Sequence, residues 1–178
     1  EVTRGGMVES RHWGAAVVMD AKGNAVHAWG EIERIVYPRS AIKPLQALAV
    51  VETGAAEAFA VTDAELALAS ASHCGQPQHM DVVLAWLERI GLGADDLECG
   101  AHEPLDPETA KARVRAGESP GPADNNCSGK HAGMLTTAKH LGEETAGYTR
   151  PSHPVQQRLR AILTDIGGAD LSQAPEGT

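Results

Sequence analysis

The chain has 178 residues and a formal net charge of −9, which argues against a nucleic-acid partner and gives no attraction to an anionic membrane surface. Hydrophobic residues make up 42%, enough for a packed core, but aromatics only 3%, so Ala, Leu, Val and Ile have to build that core. Three cysteines (Cys74, Cys99 and Cys127) are odd in number and widely spaced, which excludes a disulfide framework and makes a reducing cytoplasm the expected compartment.

Residues 1–37 read as strands. Ala15–Met19 and Ala25–Trp29 are apolar runs on either side of Asp20-Ala-Lys-Gly-Asn24, the pattern of a hairpin with a glycine-containing loop. From Ser40 the period becomes helical: Leu45, Leu48, Ala49 and Glu52 follow helical spacing, and Gly54 ends the run. Thr62-Asp-Ala-Glu65 is a capping box that opens a helix over Leu66–Ser70. Pro77–Ile90 is amphipathic, with Met80, Val83, Leu84, Leu87 and Ile90 on one face and Gly91 as the stop. Asp106 and Pro107 are cap and first residue of a helix that closes near Gly117. Residues 119–126 are a loop, Ser128–Leu141 is a helix ended by Gly142, and Pro154–Ile166 is a helix ended by Gly167. The segment 168–178 is expected to fray. Strands followed by a helical block predict an α/β protein of α+β arrangement. Residues 1–37 supply strands of a sheet and 38–178 a mainly helical lobe with the site loops. An open sheet edge in such a chain is expected to promote association. No apolar run is long enough to span a bilayer.

The strongest chemical signal is Ser40-Ala-Ile-Lys43, followed at once by Pro44. Residues three apart on a helix share a face, so the Ser40 hydroxyl and the Lys43 amine can meet. Pro44 has no N–H to donate and belongs in a first turn, which puts Ser40 at or near the helix start, where unpaired N–H groups favour an oxyanion. A desolvated lysine can take the proton of such a serine. The plain alternative is a capping serine beside a solvated lysine. Two further stretches carry chemistry: Ser70-Ala-Ser-His-Cys-Gly-Gln-Pro77 and Asp124-Asn-Asn-Cys-Ser-Gly-Lys-His-Ala-Gly-Met134. His73, Cys74 and His79 fit no standard zinc spacing and read as structural.

These stretches, with Tyr37-Pro-Arg-Ser-Ala-Ile-Lys-Pro-Leu-Gln46 and Thr3-Arg-Gly-Gly-Met-Val-Glu-Ser-Arg-His12, resemble the Rhizobium-type asparaginase II family. The resemblance covers the whole chain. It implies a serine β-lactamase-like fold, with 1–178 forming the N-terminal part of a single unit whose sheet a C-terminal half completes. It implies hydrolysis of L-asparagine to L-aspartate and ammonia by a serine–lysine amidohydrolase. Ser40 is the expected nucleophile, Lys43 its base, and Ser72, on a loop of the helical lobe, the proton relay. A zinc is implied on Cys127, Lys130 and a later Asp-Gly-Cys cysteine that is not present before Thr178; a buried free cysteine and a salt-bridged lysine are the other reading. Arg39 is expected to bind the substrate α-carboxylate or else to hold its loop. His131 is expected to hold substrate or steady a zinc-bound water, or to be a core histidine. A second lysine is expected in the continuation, so the isolated chain is expected to be inactive or weak on asparagine. A homodimer is the expected assembly. Two alternatives stand beside this reading. One is a penicillin-binding-type hydrolase, which needs a Lys-Thr-Gly strand motif that the sequence lacks. The other is a non-catalytic metal-binding fragment.

Overall fold

A computed structural model describes residues 1–174. By backbone contacts the chain divides into two units, Glu1–Tyr37 and Pro38–Thr178.

The first unit is two antiparallel hairpins. β1 (Val2–Arg4) pairs with β2 (Met7–Ser10), and β3 (Ala16–Met19) with β4 (Ala25–Trp29). Each pair is a separate two-stranded sheet. Arg4 faces Met7 in the register, so Gly5 and Gly6 alone make the first turn, both with positive φ (56° and 81°). Two successive positive φ angles give the primed turn that matches strand twist, and glycine reaches them without a Cβ penalty. In the second hairpin the Asp20 carboxylate accepts the N–H groups of Lys22 and Asn24 at 2.8 Å each, which closes the loop read from the sequence. Apolar side chains remain exposed along both hairpins, among them Met7, Val17, Val18, Val26 and Trp29.

The second unit is helical. α1 (Lys43–Glu52) follows a 3-10 turn at Arg39–Ile42, then come α2 (Ala55–Ala58), α3 (Asp63–Ser70), α4 (Pro77–Arg89), α5 (Pro107–Ala116), α6 (Ser128–Leu141) and α7 (Pro154–Gly167). The mixed α/β content expected from the sequence is therefore present: strands first, helices after. The caps explain the boundaries. The Thr62 side chain accepts from Glu65 N, and the Glu65 carboxylate accepts from Thr62 N at 2.8 Å, closing the capping box. Asp106 accepts from Thr109 N at 2.9 Å with Pro107 in the first turn, and Gly117 and Gly142 leave α5 and α6 through left-handed backbone. α7 ends one residue later than read, at Gly167, with Gly168 as the left-handed cap. Residues 168–174 carry no helix or strand, and the rest of the tail expected to fray (175–178) lies outside the described residues.

α6 is the centre of the lobe. From His131 to Ala138 every residue is buried, and α1, α2, α3, α4 and α7 pack around it. A helix wrapped on all sides needs no polar face, which is why α6 shows weak amphipathicity. Its buried hydroxyls are satisfied locally: Thr136 donates to Ala132 O at 2.7 Å and Thr137 to Gly133 O at 3.1 Å. Trp86, Leu87, Val83, Leu135 and Tyr148 complete the core.

Candidate active site

Three chain segments converge on one side chain. Lys43 opens α1, yet only 2% of it is exposed. Its Nζ donates to Ala71 O at 2.8 Å, where α3 ends, and to Asn126 O at 3.4 Å, just before α6. The third contact is Ser72 Oγ at 2.9 Å. The arrangement serves either charge state. As an ammonium, Lys43 has three hydrogens for three acceptors. As an amine it keeps two hydrogens for the two carbonyls and turns its lone pair on the one partner that can donate, the Ser72 hydroxyl.

Ser40 sits differently from the sequence expectation. It lies in the 3-10 turn Arg39–Ile42, and the α-helix proper begins three residues later, at Lys43. Pro44 does occupy the first turn, but the residue preceding that turn is Ile42. Lys43 N donates to Ser40 O, while the exposed Ser40 hydroxyl makes no hydrogen bond among the described residues. Spacing alone does not bring hydroxyl and amine together: the buried Lys43 amine turns to Ala71 O, Ser72 Oγ and Asn126 O, while Ser40 stays exposed. Arg39 carries φ +49°, left-handed backbone that costs a non-glycine residue about 1 kcal/mol. Strain of this kind next to Ser40 is a feature that functional loops retain.

Below Lys43 lies a histidine network. Gly75 N donates to His73 Nδ1 at 3.1 Å, so Nε2 carries the ring proton and donates to Ser128 Oγ at 2.8 Å. Ser128 passes its own proton to Ala123 O at 3.0 Å. Burial is the main reason that His73 is pushed down to about 4, with His79 and Lys43 adding repulsion. His73 is thus neutral at pH 7 and ties the segment after α3 to the start of α6.

Cys127 caps α6, and its N–H is held by Asn125 Oδ1 at 2.8 Å. The same Asn125 side chain donates to Cys99 O at 2.9 Å, which brings the Cys99 segment alongside. Burial raises the Cys99 thiol to about 11. Lys130 has no hydrogen-bond or ion-pair partner among the described residues and lines a small, mostly apolar cavity with Gln46, Ala47 and Met134. Burial lowers its pKa, the Cys127 charge opposes that, and Lys43 is near enough to add repulsion. His131 is buried and pushed down to about 3, first by burial and then by Lys130 and Lys43. Its Nδ1 lies 2.7 Å from Tyr148 Oη.

Lys43, Ser72, Lys130, Cys127 and His131 are therefore neighbours by hydrogen bond, sequence or electrostatic reach. Ser40 and Arg39 precede α1 with no side-chain link to them. Sequence reasoning missed Tyr148, Asn125, Asn126 and Glu98. The Asn pair stood inside a quoted motif, whereas nothing local marks Tyr148 or Glu98.

Over its whole length, residues 1–178, the sequence matches the family model of L-asparaginase II. The chain belongs to the L-asparaginase II family. No curated protein matches it closely enough to add a named relative. Membership supports an amidohydrolase acting on a small molecule and suggests L-asparagine hydrolysis. No helix among the described residues is long and apolar enough to cross a membrane.

For zinc, the donor set of this asparaginase-family chain is suitable in kind and short in number. Cys127 is a soft ligand and Lys130 is a half-buried amine whose pKa is lowered by desolvation, which favours its neutral, ligating form. No group of three or more His, Cys, Asp or Glu able to hold a metal occurs among the described residues. A tetrahedral site needs more than these two donors.

The two depressed histidines set a pH dependence. The unfolded chain takes up protons near 6.5, while folded His73 and His131 stay neutral down to about 4 and about 3. Their contribution is fully present above pH 6.5 and is lost as pH falls below it. The slope reaches about 1.4 kcal/mol per pH unit for each ring. Urea midpoints should be level from pH 8 to 7 and drop between pH 6.5 and 5, above the range where carboxylates titrate. A flat profile across that window would contradict the assignment.

Proposed function

We propose that the protein hydrolyses L-asparagine to L-aspartate and ammonia with a serine activated by Lys43. The observation that carries this reading is the buried Lys43 amine held by two carbonyls and the Ser72 hydroxyl, in a chain of the L-asparaginase II family.

In the first form of the reading, Ser40 attacks the side-chain amide carbon and its proton passes to Lys43. The tetrahedral oxyanion is met by backbone N–H groups near the start of α1. Collapse expels ammonia, which takes its proton from Lys43 through Ser72. Water then cleaves the aspartyl ester and restores the serine. Arg39 receives the α-carboxylate through its forked head, and His131 offers a ring N–H to the same substrate. A second form follows from the 2.9 Å contact between Lys43 and Ser72: Ser72, already at the lysine, is itself the nucleophile.

Ser40→Ala and Ser72→Ala in the full-length protein separate the two forms. The nucleophile variant should lose about 10³-fold or more in kcat and form no aspartyl ester, while the relay variant retains ester formation. Ester trapped on neither serine in wild-type enzyme would sink both.

Zinc belongs to this reading as a substrate-orienting ion on Cys127 and Lys130, with further donors that the described residues do not supply. Cys127→Ser should lower metal content measured by mass spectrometry. The β-lactamase-like arrangement, the second lysine of the continuation, the homodimer and the cytoplasmic compartment are parts of the same proposal. So is weak or absent turnover by this chain alone, which an ammonia-release assay checks.

A further inference from the structure

The element opposite His131 is as strictly built as the lysine cradle, and its role follows from hydrogen-bond accounting. Tyr148 is fully buried, 17 positions beyond His131 in the chain, on the connection between α6 and α7. Among the described residues its hydroxyl has two partners: Glu98 N at 2.8 Å and His131 Nδ1 at 2.7 Å. A backbone N–H can only donate, so the Glu98 contact uses the hydroxyl as acceptor. The hydroxyl's own hydrogen then has one acceptor left, His131 Nδ1. A neutral imidazole that accepts at Nδ1 carries its proton on Nε2. That Nε2 makes no hydrogen bond among the described residues, on the ring edge remote from Tyr148, and the ring lies within electrostatic reach of Lys130 and Lys43.

The tyrosine is held in turn. The exposed Glu98 carboxylate accepts the Gly147 N–H on one oxygen, and the Thr149 hydroxyl at 2.6 Å and N–H at 3.3 Å on the other. Glu98 thus grips the backbone on both sides of Tyr148, while its own N–H meets the tyrosine hydroxyl. The His131 and Tyr148 rings stand edge to face, 5.5 Å apart at 72°, which fixes the plane of the imidazole.

We propose that Tyr148 is a positioning residue, clamped by Glu98, that locks His131 in the Nε2–H tautomer. The ring thereby presents a single, oriented N–H donor to a hydrogen-bond acceptor of the substrate, such as a carboxylate or carbonyl oxygen. The donor role rests on the asparagine-hydrolase reading above; the tautomer does not.

The test is 15N-histidine NMR on the protein at neutral pH, with His131 assigned by loss of its signals in His131→Gln. Wild type should show a protonated Nε2 and an unprotonated Nδ1. Tyr148→Phe removes the hydroxyl and keeps the ring, and should give a mixture of tautomers. In the full-length enzyme the KM for L-asparagine should rise about tenfold in that variant, with kcat changed far less. A proton on Nδ1 in wild type overturns the proposal, and that measurement needs no variant to fold. An unchanged tautomer in a folded Tyr148→Phe overturns it as well, as does a folded variant with mixed tautomers and an unmoved KM. If wild-type enzyme releases no ammonia from L-asparagine, the hydrolase reading fails, and with it the donor role, while the NMR result still decides the tautomer lock.

Discussion

Lys43→Met should cost the enzyme about 10³-fold or more in L-asparagine turnover, since base and nucleophile act as a unit. The substitution keeps an unbranched stem of similar length and removes three contacts: Ala71 O, Ser72 Oγ and Asn126 O. Stability should change much less. Ala71 O loses a partner, but a buried polar group disappears with it, and Asn126 O keeps the His73 N–H at 3.2 Å. A net loss of about 1 kcal/mol is expected. Lys43→Arg sharpens the result. Arginine retains donors for the carbonyls and stays charged, so it can tie the segments together but cannot take a proton. Both variants should be folded by circular dichroism and inactive by ammonia release. Turnover within tenfold of wild type in Lys43→Met would remove Lys43 from the chemistry.

Within the helix-packed core, Gly129→Ala should cost a large share of the stability. Gly129 lies in the first turn of α6, buried against the end of α3. A Cβ there would fall 2.6 Å from both C and O of Leu68 and 2.8 Å from Leu68 Cβ. Two of these atoms are backbone, so no side-chain rotation relieves the clash and the two helices must separate. A cost of about 3 kcal/mol and a fall of roughly 10 °C in thermal midpoint are expected. The displacement also reaches the site. The end of α3 carries Ala71 and Ser72, and the start of α6 follows Asn126, so two walls of the Lys43 cradle would move together. Gly133→Ala is the control one turn along α6. Its nearest obstacle is Val50 Cγ2 at 3.1 Å, a side-chain methyl that can shift, and the cost should be about 1 kcal/mol. Scanning calorimetry orders the two variants. Equal midpoints would mean that the α3–α6 contact is looser than the geometry requires.

Elements whose causes are local were legible from residue order. The Thr62–Glu65 capping box, the Asp106–Pro107 start and the Gly142 stop each act within four residues, and the structure places each where the sequence read it. The hairpin over Ala16–Trp29 follows from a turn that Asp20 closes on its own neighbours. The Gly5-Gly6 turn carried an equally local signal that a general reading of strands over 1–37 did not resolve. The burial of α6 had no such signal, because small and polar residues are mixed along it and its surroundings come from five other helices.

The candidate site divides in the same way. The sequence alone determined the mixed fold class, the capped helix ends and the candidate residues Ser40, Lys43, Ser72, Cys127, Lys130 and His131. All of these rest on spacing, capping or motif. Only the tertiary structure decided which hydroxyl the lysine touches. Ser72 is 29 positions from Lys43, and Asn126 is 83 positions away. Those contacts depend on how the end of α3 and the start of α6 dock on the first turn of α1, a matter of packing distance that no periodicity encodes. Ser40, only three positions from Lys43, stays exposed because the lysine amine is drawn instead to acceptors on the segments after α3 and before α6. The grip of Tyr148 on His131 likewise arises because a buried hydroxyl must satisfy both its lone pair and its hydrogen once the α6–α7 connection folds over the helix.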